Sequence, residues 1–76
     1  MMKRYIGITD QAKHAPRSFF VYANGDLFCQ LAATEICIAK PNDNIVLNMS
    51  GAIVRGKFVT NRGTGFILSD WTIERK

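Results

Sequence analysis

Gly, Asn, Asp or Pro interrupts this 76-residue chain at intervals of about ten residues, and the segments between are rich in Val, Ile and Phe. Short segments of β-branched and aromatic residues between turn-forming residues are the pattern of strands, because a helix needs longer uninterrupted runs. The chain therefore predicts an all-β, or nearly all-β, single domain spanning residues 1–76. A chain this short buries too little surface for two independent cores.

Residue patterning divides the chain further. A first strand is expected at Lys3–Thr9, followed by a flexible polar segment at 10–16. Ser18–Ala23 and Asp26–Ala32 flank Asn24-Gly25, a pair suited to the positive φ angles of a type I′ hairpin turn. Thr34–Ala39 reads as another strand, with Ala32-Ala33 as the bend before it. Lys40-Pro41-Asn42-Asp43-Asn44 ends that strand, since proline removes a ladder donor and Asn/Asp favour turns.

Ile45–Met49 and Ala52–Thr60 form a second predicted hairpin across Ser50-Gly51. Asn61–Gly65 then turns the chain into Phe66–Ile73. Along Ala52–Thr60 the even positions Ala52, Val54, Gly56, Phe58 and Thr60 share one face, and Arg55 and Lys57 the other. Five or six antiparallel strands in so short a chain predict a small β-barrel, closed or half-closed, with Gly56 at a sharp bend. A competing reading comes from Leu27, Leu31, Thr34 and Ile38, whose 3.6-residue spacing also fits a helix over 27–40.

Catalytic and metal-binding patterns are missing. His14 is the single histidine, and Cys29 and Cys37 stand eight residues apart with no C-x-x-C or H-x-x-x-H spacing, so no metal site is expected. Gly63-Thr64-Gly65 precedes strand-like residues, where a phosphate-cradling loop would need a helix N-terminus. Neither an enzyme nor a cofactor is expected. The cysteines lie in apolar runs and read as buried small hydrophobes, with a disulfide geometrically conceivable. No run reaches the ~20 apolar residues of a membrane span, and no hydrophobic leader precedes residue 18; the chain reads as cytoplasmic.

Ten Lys and Arg against six Asp and Glu give a net charge of +4, a balance that favours phosphate-bearing or acidic partners. Arg55, Lys57 and Arg62, with Lys40, compose a basic stripe that suits single-stranded nucleic acid or, equally, a solvated face. Phe19, Phe20 and Tyr22 offer bases a stacking platform; Phe19 and Phe20, being adjacent, point to opposite faces. Trp71 is expected to cover an end of the barrel.

From Arg17 onward the order of features resembles a PilZ domain: a basic motif, an extended hairpin, a polar turn, a strand pair and a final strand. Asn44, Gly51, Gly56, Val59, Gly65, Phe66, Arg75 and Lys76 carry the likeness. In that family an R-x-x-x-R motif and a D/N-x-S-x-x-G motif bind cyclic di-GMP. Lys13-His14-Ala15-Pro16-Arg17 is similar to the first, with Lys in place of the leading Arg. Leu31–Cys37, where the second should fall, does not supply it. Asn48-Met49-Ser50 matches its first half out of register, with Ile53 where Gly is required.

The resemblance implies a binding or adaptor module in signalling or protein interaction, with Lys13, Arg17, Asn48 and Ser50 as ligand residues and cyclic di-GMP binding weak or lost. The alternatives are a basic β-barrel that binds single-stranded nucleic acid through Arg55, Lys57 and Arg62, and a phage-encoded or accessory inhibitor of a larger host complex.

Overall fold

A computed structural model describes residues 4–6, 18–32, 35–49 and 51–75. These hold seven strands and no helix: β1 (Arg4–Ile6), β2 (Ser18–Val21), β3 (Leu27–Gln30), β4 (Glu35–Cys37), β5 (Asn44–Asn48), β6 (Ala52–Arg62) and β7 (Gly65–Arg75). The all-β expectation holds. β2-β3-β7-β6-β5 form one antiparallel sheet in that order, and β1 pairs with β4 in parallel. The chain is compact, with a radius of gyration of 11.3 Å, yet no hydrogen-bonded ladder joins β2 to β5 to close the sheet into a barrel.

The helical alternative over 27–40 gives way to β3 and β4 because alternation wins over the 3.6-residue period. Leu27 and Cys29 point inward while Phe28 and Gln30 do not, and Cys37 is buried while Ile38, which the helix would have buried, is exposed.

Each turn follows from its residues. The β2–β3 connection is a three-residue loop, closed by the Tyr22 N–H donating to the Asp26 carbonyl and the Gly25 N–H to the Tyr22 carbonyl. Only Gly25 takes a positive φ (93°) and Asn24 does not, so the predicted type I′ turn is replaced by a turn ending in a left-handed glycine. Asn24 instead accepts the Asp26 N–H on its side-chain oxygen. Lys40-Pro41-Asn42-Asp43 forms a type II turn: Pro41 fixes the second position, Asn42 has φ 74°, and the Asp43 N–H donates to the Lys40 carbonyl. That turn docks on β6, where the Asn42 N–H donates to the Phe58 carbonyl and the Phe58 N–H to the Asp43 carbonyl.

Inward residues from β3, β5, β6 and β7 make the core: Leu27, Cys29, Ile45, Leu47, Val54, Phe58, Phe66 and Leu68, joined by Leu31 and Cys37. Phe19 packs against it while Phe20 is exposed on the opposite face, as adjacency requires. Trp71 also packs on the core, and its indole Nε1 donates to the Gly25 carbonyl at 2.7 Å, pinning the β2–β3 turn to β7.

The β6–β7 hairpin carries two bulges. Arg55 pairs with Thr72 and Lys57 with Ser69, so Asp70 and Trp71 together oppose Gly56. Phe58 pairs with Leu68 and Thr60 with Ile67, leaving Val59 as the extra residue on β6. The second bulge corrects the simple face assignment: Val54, Gly56 and Phe58 are buried, but beyond Val59 the phase shifts, so that Thr60 pairs with Ile67 and Asn61, itself exposed, pairs with core Phe66. The Asn61 amide donates to the Cys37 carbonyl at 3.0 Å.

Candidate functional site: the outer face of the sheet

Alternation on β6 places Arg55 and Lys57 outward, and pairing brings Val46 and Asn44 of β5 beside them. The Val59 bulge then moves Arg62 onto the same face; without it, Arg62 would share the phase of buried Phe58 and point inward. Three cations thus lie along one face of one strand.

At the Arg55–Lys57 end of that face, over β5 and β6, lies a cleft of about 280 Å³, lined by Asn44, Ile45 and Val46 of β5, Arg55, Gly56 and Lys57 of β6, and Asp70 of the β7 bulge. Asp70 has φ 48°, a left-handed conformation in which Asp and Asn are over-represented among non-glycine residues. Arg55 Nε stands 3.7 Å from Glu74 Oε1, with both side chains more than half exposed. That separation exceeds the ~2.7–2.9 Å of a charge-assisted hydrogen bond, so the pair is loose and weakly stabilising.

At the other end lies an aromatic cluster. Phe20 meets Tyr22 edge-on with ring centroids 5.3 Å apart, Tyr22 meets Phe28 at 6.1 Å, and the Arg62 guanidinium stands 5.6 Å from the centre of the Tyr22 ring. Phe28 lies over Gly65. Phe20 remains 59% exposed, so this cluster presents a ring to solvent.

Of the residues expected to act, Arg55, Lys57 and Arg62 share this surface, whereas Lys13, Arg17 and Ser50 lie outside the described residues. Asn48 faces outward on β5 opposite Ile53 and does not line the cleft. Asn44, Asp70 and Phe28 were not among the expected site residues.

Cys29 and Cys37 sit in the core as free thiols. Burial, and secondarily the neighbouring Cys37 sulfur, pushes the Cys29 thiol up to about 12; burial pushes Cys37 up to about 11. Both are neutral and unsuited to nucleophilic work at ordinary pH. Among the described residues no three His, Cys, Asp or Glu side chains are grouped to hold a metal, and no helix is long and apolar enough to cross a membrane. No family model, curated protein or solved structure matches the chain.

Proposed function

We propose that the chain is a non-enzymatic binding module that holds single-stranded nucleic acid on the outer face of its sheet. The supporting observation is that Arg55, Lys57 and Arg62 lie along one face of β6, with an exposed aromatic cluster beside Arg62. Cations track a phosphate backbone, and exposed rings stack on bases of any sequence. Lys57 and Arg62 are five residues apart along β6, roughly 15 Å of strand, enough to span several stacked nucleotides.

A protein partner is the second reading, favoured by β2, an edge strand that exposes Phe20 and Val21. In this reading the module is an adaptor, as the PilZ resemblance implies.

Fluorescence anisotropy with a labelled oligothymidylate separates the two. Three phosphate contacts give a log–log salt slope of about −2, a loss of about fifteen- to twentyfold in affinity between 50 and 200 mM salt. Arg55→Ala with Lys57→Ala reduces the slope to about −0.7. Phe20→Ala weakens binding by about 1–3 kcal/mol while leaving the slope in place. Absence of binding at low salt, or binding indifferent to salt, rejects the nucleic-acid reading.

A further inference from the structure

We infer that the cleft beside the Asp70 bulge accepts a single guanine base and gives the outer face its sequence preference, an inference that rests on the nucleic-acid reading above. The volume, about 280 Å³, falls just under the ~300–1,000 Å³ of sites that enclose drug-sized ligands. That is room enough for a single purine base.

The charge pattern points the same way. A site for phosphate alone gains nothing from a carboxylate, yet Asp70 lines this cleft together with Arg55 and Lys57. Its occupant must therefore offer donors to one wall and acceptors to the other. Asp70 is acceptor-only, Arg55 and Lys57 are donor-only, and Asn44 supplies both. Among the bases, guanine carries two adjacent donors, N1–H and the 2-amino group, which a carboxylate receives together. It also carries two acceptors, O6 and N7, which an arginine receives in a fork. Adenine, cytosine and thymine each lack the paired donors. Val46, also in the lining, adds an apolar surface for the ring.

Backbone geometry supports a role for the Asp70 side chain. The first residue of such a bulge sits in the left-handed region, where glycine is the unstrained choice. Here an aspartate holds φ 48° instead, and non-glycine residues kept in that region cluster at ligand sites. The bulge sets residue 70 opposite Gly56, between the pairs that hold Arg55 and Lys57, and Asp70 lines the cleft with both. Arg55 is free to change partner, because its contact with Glu74 is long and exposed.

The test is anisotropy at low salt with oligothymidylates of about a dozen residues, the scale of a small sheet site, each carrying one central guanine, adenine, cytosine or hypoxanthine. The guanine probe is expected to bind about tenfold tighter than plain oligothymidylate, and the adenine and cytosine probes within about threefold of it. Hypoxanthine lacks the 2-amino donor and should lose most of the preference. Asp70→Asn keeps a residue that tolerates the left-handed conformation. This variant should lose the guanine preference, make guanine and hypoxanthine equivalent, and bind plain oligothymidylate slightly more tightly, because a negative charge leaves the phosphate-facing surface. Equal affinity for all probes, or a guanine preference that survives in Asp70→Asn, overturns the inference and leaves the binding reading standing. Absence of binding to every probe overturns both.

Discussion

Replacing Gly65 with alanine tests how closely β3 and β7 approach. A Cβ at residue 65 would stand 2.3 Å from the Cys29 carbonyl oxygen and 2.6 and 2.9 Å from two carbons of the Phe28 ring. The ring can swing away, but the carbonyl belongs to the β3 backbone and can retreat only if the strands part. Reaching even 3.0 Å requires about 0.7 Å of separation. A gap of that size forfeits about a quarter to a half of the dispersion attraction across the interface. Overpacking of this kind costs about 1–3 kcal/mol, and a backbone clash belongs at the upper end. For a domain of this length, whose total stability is about 4–11 kcal/mol, a loss of about 3 kcal/mol lowers the melting temperature by about 12–24 °C.

Thermal unfolding followed by circular dichroism supplies the measurement, with two further glycines as internal standards. At Gly56 the added methyl would meet side-chain atoms of Leu68 and Trp71 at 3.0–3.2 Å, contacts that a small shift relieves. Gly56→Ala should cost about 1 kcal/mol, or about 4–8 °C. At Gly51 nothing lies within 4 Å, and Gly51→Ala should melt within about 3 °C of the parent. Phe28→Ala in the Gly65→Ala background should restore only part of the loss. If Gly65→Ala melts within about 4 °C of the parent, or if removal of Phe28 rescues it fully, the backbone contact is not the cause and the reasoning fails.

Trp71→Phe removes the indole donor to the Gly25 carbonyl; the expected loss is about 1 kcal/mol, and a melting temperature unchanged within about 2 °C would show that the bond does not pin the turn. Cys29 and Cys37 should resist an aromatic disulfide reagent at pH 8 until the chain unfolds, at a rate that tracks unfolding. Their raised pKa values also fix a pH dependence. Above the ordinary thiol value of 9.0 the unfolded chain loses protons that the folded chain keeps up to about 11 and 12, so stability falls as pH rises from about 9 through that window. A stability that stays flat or rises there would contradict the burial of both thiols.

How much of this could be read in the sequence depended on the kind of signal. Short strands were legible because each is bounded by a turn residue with its own backbone requirement, as at Gly25, Pro41-Asn42 and Gly63. That Phe19 and Phe20 lie on opposite faces, and that Arg55 and Lys57 share the outer one, followed from alternation alone. Sheet order was not legible, because nothing local in β3 specifies β7 as its partner. The parallel pairing of β1 and β4 was likewise hidden, since it joins residues about thirty positions apart.

The place of Asp70 in the cleft was missed because it depends on a bulge, yet a trace of the bulge is present in the pattern. Inward residues run Phe66, Leu68 and then Trp71, so the period of two breaks once, at the aspartate between them. The break on β6 leaves no such trace, because Thr60, Asn61 and Arg62 are all polar and exposed, and only the pairing places Arg62 outward. What no pattern conveys is that Tyr22, in the β2–β3 loop, meets the Arg62 side chain.

The two extra residues of the β6–β7 hairpin sit on opposite strands, so their offsets cancel: pairs on either side of the bulged region, Arg55 with Thr72 and Thr60 with Ile67, keep a common register. Loss of one residue from this region therefore cannot be accommodated alone. Deleting Asp70 without Val59 would slide the distal part of β7 one step along β6 and reverse the faces of everything beyond. Deleting both would leave a regular ladder with every inward residue still inward, and with less of the twist and bend that bulges impart. Length change along this hairpin is thus coupled in pairs. Homologous chains should either hold both extra residues or lack both, and those lacking both should have a flatter sheet and no counterpart of Asp70 in the cleft over β5 and β6.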